Sequence, residues 1–211
     1  MGRGRFIVLE GIDGSGKTAI AEKLGKMIEE AGHVVLHTKE PTDAGRFARK
    51  IRLILGGKSP VPPPIIFREL YIKNRLEHTI QVIEPALMQG NIVLCQRYAL
   101  SEFAYGMARG GSYASIQLSH DKILKNHFIQ PDLTIILDVP ASVAIRRINR
   151  RGKIPDLFEK KEMLSRVRTA YKRLSKRRDL GPAKLINGNR PIYVVVTHAA
   201  RLIKPLLISK N

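Results

Sequence analysis

One eight-residue run, Gly11-Ile12-Asp13-Gly14-Ser15-Gly16-Lys17-Thr18, constrains this chain more than any other segment. It has the form G-x-x-x-x-G-K-[ST], with the apolar run Phe6–Leu9 before it and a helical pattern, Lys17–Ala31, after it. That strand–loop–helix context separates a phosphate cradle from an ordinary glycine-rich turn. Glycine adopts positive φ without a Cβ penalty, so backbone N–H groups can curl round an anion. The N-terminus of the next helix turns its partial positive charge toward the same point. Gly11 to Thr18 are therefore candidate triphosphate-binding residues. Lys17 is placed to reach the β- and γ-phosphates, and the Thr18 hydroxyl is a candidate Mg²⁺ ligand.

The rest of the chain repeats the strand-then-helix order. Strand candidates are Phe6–Leu9, Val34–His37, Ile92–Gln96, Leu133–Val139 and Lys184–Ile186. Helix candidates are Lys17–Ala31, Thr42–Leu55, Ile65–Met88, Ala99–Ala108, Ser115–Phe128, Ser142–Arg150, Lys160–Lys176 and Tyr193–Ile208. The Val-rich start of the last also reads as a strand. Alternation throughout predicts a parallel sheet wrapped by helices on both faces, an α/β fold. Short continuous apolar runs such as Thr134-Ile135-Ile136-Leu137 suit strands buried on both sides. The proline-rich stretch Ser59–Pro64 reads as a stiff connector within a single domain spanning residues 1–211. No apolar run reaches the roughly 18 residues of a membrane span. The strand pattern begins too early to leave room for a signal peptide, and the lone cysteine, Cys95, allows no internal disulfide. Both suggest a cytoplasmic protein. The six histidines show no metal-ligand spacing.

Charge is the unusual feature. Thirty-seven Lys and Arg stand against 18 acids, a net +19. The excess gathers between Ile145 and Arg178, where 14 basic residues meet three acids, Asp156, Glu159 and Glu162. From Leu164 to Leu174 apolar residues recur at helical period, so part of this charge is expected on a solvated helix face. The remainder, Arg146–Lys153, reads as phosphate-binding, with nucleic-acid binding as the rival.

In an open α/β sheet, ligands bind beyond the carboxyl ends of the strands. The informative segments sit there: Lys39-Glu40-Pro41 after the second strand, Gln96-Arg97-Tyr98 after the third, Asp138-Val139-Pro140 after the fourth. Together with the phosphate loop, Tyr71–His78, Ser101–Tyr105 and Arg147-x-x-Arg150-Arg151-Gly152 through Phe158-Glu159, this order resembles the thymidylate kinase family. The resemblance covers nearly the whole chain. It implies a P-loop α/β/α sandwich with a five-stranded parallel sheet and a mobile lid at about 146–158. It also implies transfer of the ATP γ-phosphoryl to dTMP with Mg²⁺, in a homodimer. Other readings are a kinase for another nucleotide such as dUMP, or a basic P-loop protein that binds ATP and nucleic acid.

Carried over residue by residue, the resemblance gives Lys17 the migrating phosphoryl group and Asp13 the deoxyribose 3′-hydroxyl. Lys39 stands where many members have arginine, as a point charge for the acceptor phosphate. Tyr71 offers a flat ring for thymine, Arg75 reaches the base or acceptor phosphate, and Arg97 clamps that phosphate with a bidentate fork. Ser101 helps bind the base, and Tyr105 packs where a 2′-hydroxyl would project. The loop residues Ile12 to Ser15 include no base, so the lid must bring the transition-state cation. Arg147, Arg150 and Arg151 are the candidates, Arg151 first on motif position.

Two positions depart from the family pattern. The motif Asp-Arg-Tyr appears here as Gln96-Arg97-Tyr98, and Gly106 follows Tyr105 where glutamine is frequent. Glutamine is neutral and a poorer partner for a hard cation and its waters. Three readings remain: Asp138, Asp13 or Glu10 supplies the charge, the enzyme is slow, or its acceptor is not dTMP. Gln96→Asp is expected to raise kcat if metal positioning is the deficit. Steady-state rates at saturating ATP and Mg²⁺ test this, and an unchanged or lower rate means that the glutamine is compensated.

Overall fold

A computed structural model describes residues 3–150, 152 and 157–208; Arg151 and residues 153–156 lie outside the described residues. Strand β1 (Phe6–Glu10) leads through the glycine loop into α1 (Lys17–Glu30), then β2 (Val35–Lys39). Next come α2 (Arg46–Leu55) and α3 (Pro64–His78), a π turn (Thr79–Ile83) and α4 (Glu84–Met88). Strand β3 (Ile92–Gln96) is followed by α5 (Ala99–Ala108) and α6 (Tyr113–Leu124). Strand β4 (Leu133–Asp138), α7 (Ala141–Asn149), α8 (Lys161–Leu174), β5 (Ala183–Asn187) and α9 (Ile192–Ile208) complete the chain.

The five strands form one parallel sheet in the order β2-β3-β1-β4-β5. Strand β1 is buried throughout, and its alternate residues serve two cores. Phe6 and Val8 pack toward Phe103, Leu164 and Tyr171, while Ile7 and Leu9 pack toward Ile20, Leu24 and Val196. The three-layer α/β arrangement thus follows directly from side-chain alternation in a strand buried on both faces. Helix α1 approaches the sheet closely at Gly25, where an added Cβ would lie 2.1 Å from the His37 ring. Among the described residues, no helix is long and apolar enough to cross a membrane.

Where elements differ from expectation, tertiary contacts explain the shift. Helix α2 begins at Arg46 rather than Thr42. Asn74 binds both the Thr42 N–H (3.0 Å) and its hydroxyl (2.7 Å), and Gly45, at φ 100°, sets the helix start. The expected helix 65–88 contains the π turn because Pro85, just beyond it, has no N–H to donate. Ser112 caps α6 two residues earlier than expected, accepting from the Ser115 N–H at 3.1 Å. At its other end, Lys125–His127 forms a 3₁₀ turn instead of more helix. Helix formation wins for α9 because Val195, Val196, Ala199 and Ile203 make one buried stripe.

Helix α5 carries several residues of the site described below, and Phe103 anchors it. Its ring is fully buried and packs 4.8 Å from the Tyr113 ring and 5.6 Å from His120. Phe103→Ala is expected to cost about 3–5 kcal/mol, read as a lower urea-unfolding midpoint.

Candidate active site

The carboxyl ends of β1, β2 and β3 stand side by side, with Gln96 in register between Leu9 and Lys39. The glycine loop springs from this edge at the point where strand order reverses, the usual crevice of such sheets. Gly11, Gly14 and Gly16 take φ of 141°, 76° and 95°. Gly14 also lets α7 sit against the loop, since an added Cβ would come 2.4 Å from the Ala144 carbonyl oxygen. Across the loop Lys17 Nζ donates to the carbonyls of Gly11 and Ile12, each at 3.0 Å. Ser15 Oγ is buried with no protein partner. An orphaned hydroxyl, a lysine arched over the loop and a helix N-terminus are the features a phosphate chain satisfies, so these residues fit a bound triphosphate.

Thr18 Oγ1 donates to Gln96 Oε1 at 2.9 Å, which leaves the threonine oxygen's lone pairs for a cation. The three carboxylates considered as substitutes for the missing charge are all engaged elsewhere. Asp138 is held by Arg168 (2.5 and 3.0 Å) and Lys172 (3.2 Å). Glu10 is buried at the end of β1 and accepts from the N–H groups of Tyr98 and Ser101 and the hydroxyls of Ser101 and Tyr171. Asp13 pairs with Arg97 at 2.5 Å and accepts from the Tyr105 hydroxyl at 2.7 Å. Burial alone would raise the Asp13 pKa, but Arg97, Lys17 and the Tyr105 hydrogen bond outweigh it and hold the carboxyl well below the usual range.

Beside the loop opens a cavity of about 700 Å³. Asp13, Tyr71, Arg75, Arg97, Ser101 and Tyr105 all line it, so six sequence-predicted residues meet in one space. Arg97 is its hub. Its backbone adopts φ 68°, sparsely populated for a non-glycine residue. Its guanidinium reaches Asp13, Ser101 Oγ (3.1 Å) and Tyr105 Oη (3.2 Å). The carboxylate of Asp13 raises the Arg97 pKa well above its ordinary value despite burial. Ser101 is occupied as a connector: its hydroxyl donates to Glu10 at 2.6 Å and lies 2.9 Å from Tyr171 Oη.

Arg75 forms the cavity's floor and is 2% exposed. Glu40 accepts from its Nε and Nη2 at 2.9 Å, and Glu102 from Nη1. His78 and His120 back the two carboxylates, each with Nδ1 3.1 Å from a carboxylate oxygen. Burial opposes the charge, yet Glu40 and Glu102 raise the Arg75 pKa above its ordinary value. The Glu40–Pro41 peptide is cis. Lys39 stands apart from the cavity, in a neighbouring cleft, with Nζ 2.9 Å from Asp43.

Sequence reasoning missed the aromatic wall. Phe67, one helical turn before Tyr71, packs 5.4 Å from it edge-on, and Phe158 stacks 5.9 Å from Phe67 and meets Tyr105 edge-on at 5.7 Å. The i, i+4 spacing of Phe67 and Tyr71 was the available signal; contacts of Phe158 are long-range and had none. Of the candidate lid cations, Arg147 leans on the loop, with Nη1 3.4 Å from the Gly14 carbonyl and 3.5 Å from that of Ser15. Arg150 is exposed just past α7, and Arg151 lies outside the described residues.

A sequence model of the thymidylate kinase family matches residues 9–199. Similar proteins include a probable thymidylate kinase of Pyrococcus abyssi, 42% identical over 98% of both chains, and one of Pyrococcus horikoshii, 39% identical over 98% of both. A thymidylate kinase of Xanthomonas oryzae pv. oryzae is 38% identical over 80% of this chain and 70% of its own. With loop, sheet and cavity in place, the match over nearly its full length means that this chain belongs to the thymidylate kinase family.

Proposed function

We propose that the protein phosphorylates dTMP to dTDP with ATP, a step toward dTTP. The observation that carries this reading is Asp13. It belongs to the phosphate loop and also lines the cavity, so donor and acceptor sites share a residue. A loop that only held ATP as a switch would need no such cavity.

The acceptor is already a nucleophile, since a phosphate monoester is largely dianionic at neutral pH. One of its oxygens attacks the γ-phosphorus, the bond from that phosphorus to the β–γ bridging oxygen breaks, and ADP leaves. Catalysis is then a matter of placement and charge. Lys17 and the loop N–H groups of Gly11 to Thr18 hold the ATP phosphates. Thr18 would ligate Mg²⁺, with Gln96 as its neutral neighbour; bound there, the ion would offset charge on the β- and γ-oxygens. Arg97 takes the acceptor phosphate, aided by Lys39 swinging from Asp43. Asp13 receives the 3′-hydroxyl, and Tyr105 crowds a 2′-hydroxyl. Tyr71 and Phe67 flank the base above Arg75, and Ser101 fixes Arg97. Arg147, Arg150 and Arg151, in a lid at about 146–158 of a single domain, bring cations over the transferring group and exclude water. A cytoplasmic homodimer is the assembly that suits this reading.

Two outcomes test it. ADP release should be stimulated by dTMP more than by dUMP, UMP, CMP or thymidine; no stimulation by any of them removes the kinase reading. Arg97→Ala should lower kcat about 100- to 1,000-fold while ATP affinity, measured by calorimetry, stays within about threefold. Equal turnover would take Arg97 out of the site.

A further inference from the structure

The acceptor cavity holds more positive charge than its own acids use. Four arginines line it, Arg68, Arg75, Arg97 and Arg109, beside three carboxylates, Asp13, Glu40 and Glu102. Glu40 and Glu102 grip Arg75, and Asp13 grips Arg97. Among the described residues, Arg68 and Arg109 have no carboxylate partner. Arg68 donates from Nη2 to the Ser115 carbonyl (3.3 Å) and Ser119 Oγ (3.1 Å), while its buried Nε–H has no acceptor. The Arg109 guanidinium lies beside the stacked Phe67–Phe158 pair, 5.5 Å from the first ring and 5.3 Å from the second. Burial lowers its pKa. Both arginines are half-buried, and a partly desolvated cation with no carboxylate partner beside a cavity gains from an anion there.

The two cations share one end of the space. The Arg109 N–H bonds the Tyr105 and Gly106 carbonyls, closing the C-terminus of α5. A Cβ on Gly106 would stand 3.9 Å from Arg68 Cδ. Arg97 precedes the other end of this ten-residue helix, and its guanidinium reaches along it to Ser101 Oγ and Tyr105 Oη, one turn before Arg109. The walls near Arg109 are Gly110, Gly111, Ser112 and Ser115, with no acid among them.

Building on the reading of this cavity as an acceptor-nucleotide site, we propose that Arg68 and Arg109 form a second anion-recognising subsite at its far end. It takes deoxypyrimidine monophosphates whose base carries a carboxylate. The 5′-phosphate goes to Arg97, and the carboxylate goes to the guanidinium forks, which match its two oxygens.

Calorimetry on the full chain without ATP tests this with dTMP, 5-carboxy-dUMP and 5-(2-carboxyvinyl)-dUMP, each acid compared with its uncharged carboxamide. At least one acid is expected to bind about tenfold tighter than its amide. That preference should fall below about threefold in Arg68→Met and Arg109→Met, and persist in part in Arg109→Lys. The acid-to-amide ratio is internal to each variant, so a general loss of stability does not mimic the result. Equal affinities for both pairs, or a preference that survives in the double Met variant, would overturn the subsite. If dTMP itself fails to bind, the acceptor reading falls and the subsite with it; if dTMP binds without any acid preference, the subsite alone falls.

Discussion

The buried carboxylate of Glu10 is the constraint from which the site is assembled. It lies at the end of the central strand, fully enclosed, where an unpartnered charge would cost several kcal/mol. Its partners come from the turn after β3, the first turn of α5 and α8: two backbone N–H groups, one serine hydroxyl and one tyrosine hydroxyl. Meeting that demand fixes Tyr98 and Ser101, and the residue just before them, Arg97, is left in a left-handed backbone conformation. The arginine is thereby aimed at Asp13 across the mouth of the phosphate loop. Backbone strain at a site residue is held because the surrounding hydrogen bonds over-determine it.

A second buried charge system sets the opposite wall. Arg75 is locked by Glu40 and Glu102, with His78 and His120 behind them and Thr38 at 2.6 Å from His78. This array links the end of β2, α3, α5 and α6 through one guanidinium. Such arrays contribute little net stability against an apolar replacement, but removing one partner strands the others. Their effect is geometric. They hold the floor of the cavity rigid while the aromatic wall of Phe67, Tyr71 and Phe158 supplies apolar surface.

The substitution at Gln96 acquires a definite setting from these contacts. Glu10, Asp13 and Asp138 are each committed to other donors, so the local charge beside Thr18 is not restored by any of them. Thr18 therefore has a neutral side chain, Gln96, as its hydrogen-bond partner.

Much of this protein was legible in its sequence. Alternation of apolar runs with helical patterns specified the α/β layers, because a strand buried on both faces has no polar side. The spacing Gly11 to Thr18 specified a phosphate loop, because glycines take its positive φ values without a Cβ penalty. The positions after each strand marked the crevice, and six of the seven expected acceptor residues meet there. Helix boundaries at Thr42 and Pro85 were not legible, since they depend on Asn74 reaching across and on a local proline-driven π turn. Neither were the partners of Ser101 and Lys39, nor the placement of Phe158, nor the lack, among the described residues, of a carboxylate partner for Arg68 and Arg109. Sequence determined which chemistry the chain carries, because local spacing fixes loop and strand conformation. Only tertiary structure decided which charges are paired with one another, because counter-charges in a folded chain come from residues far apart in sequence.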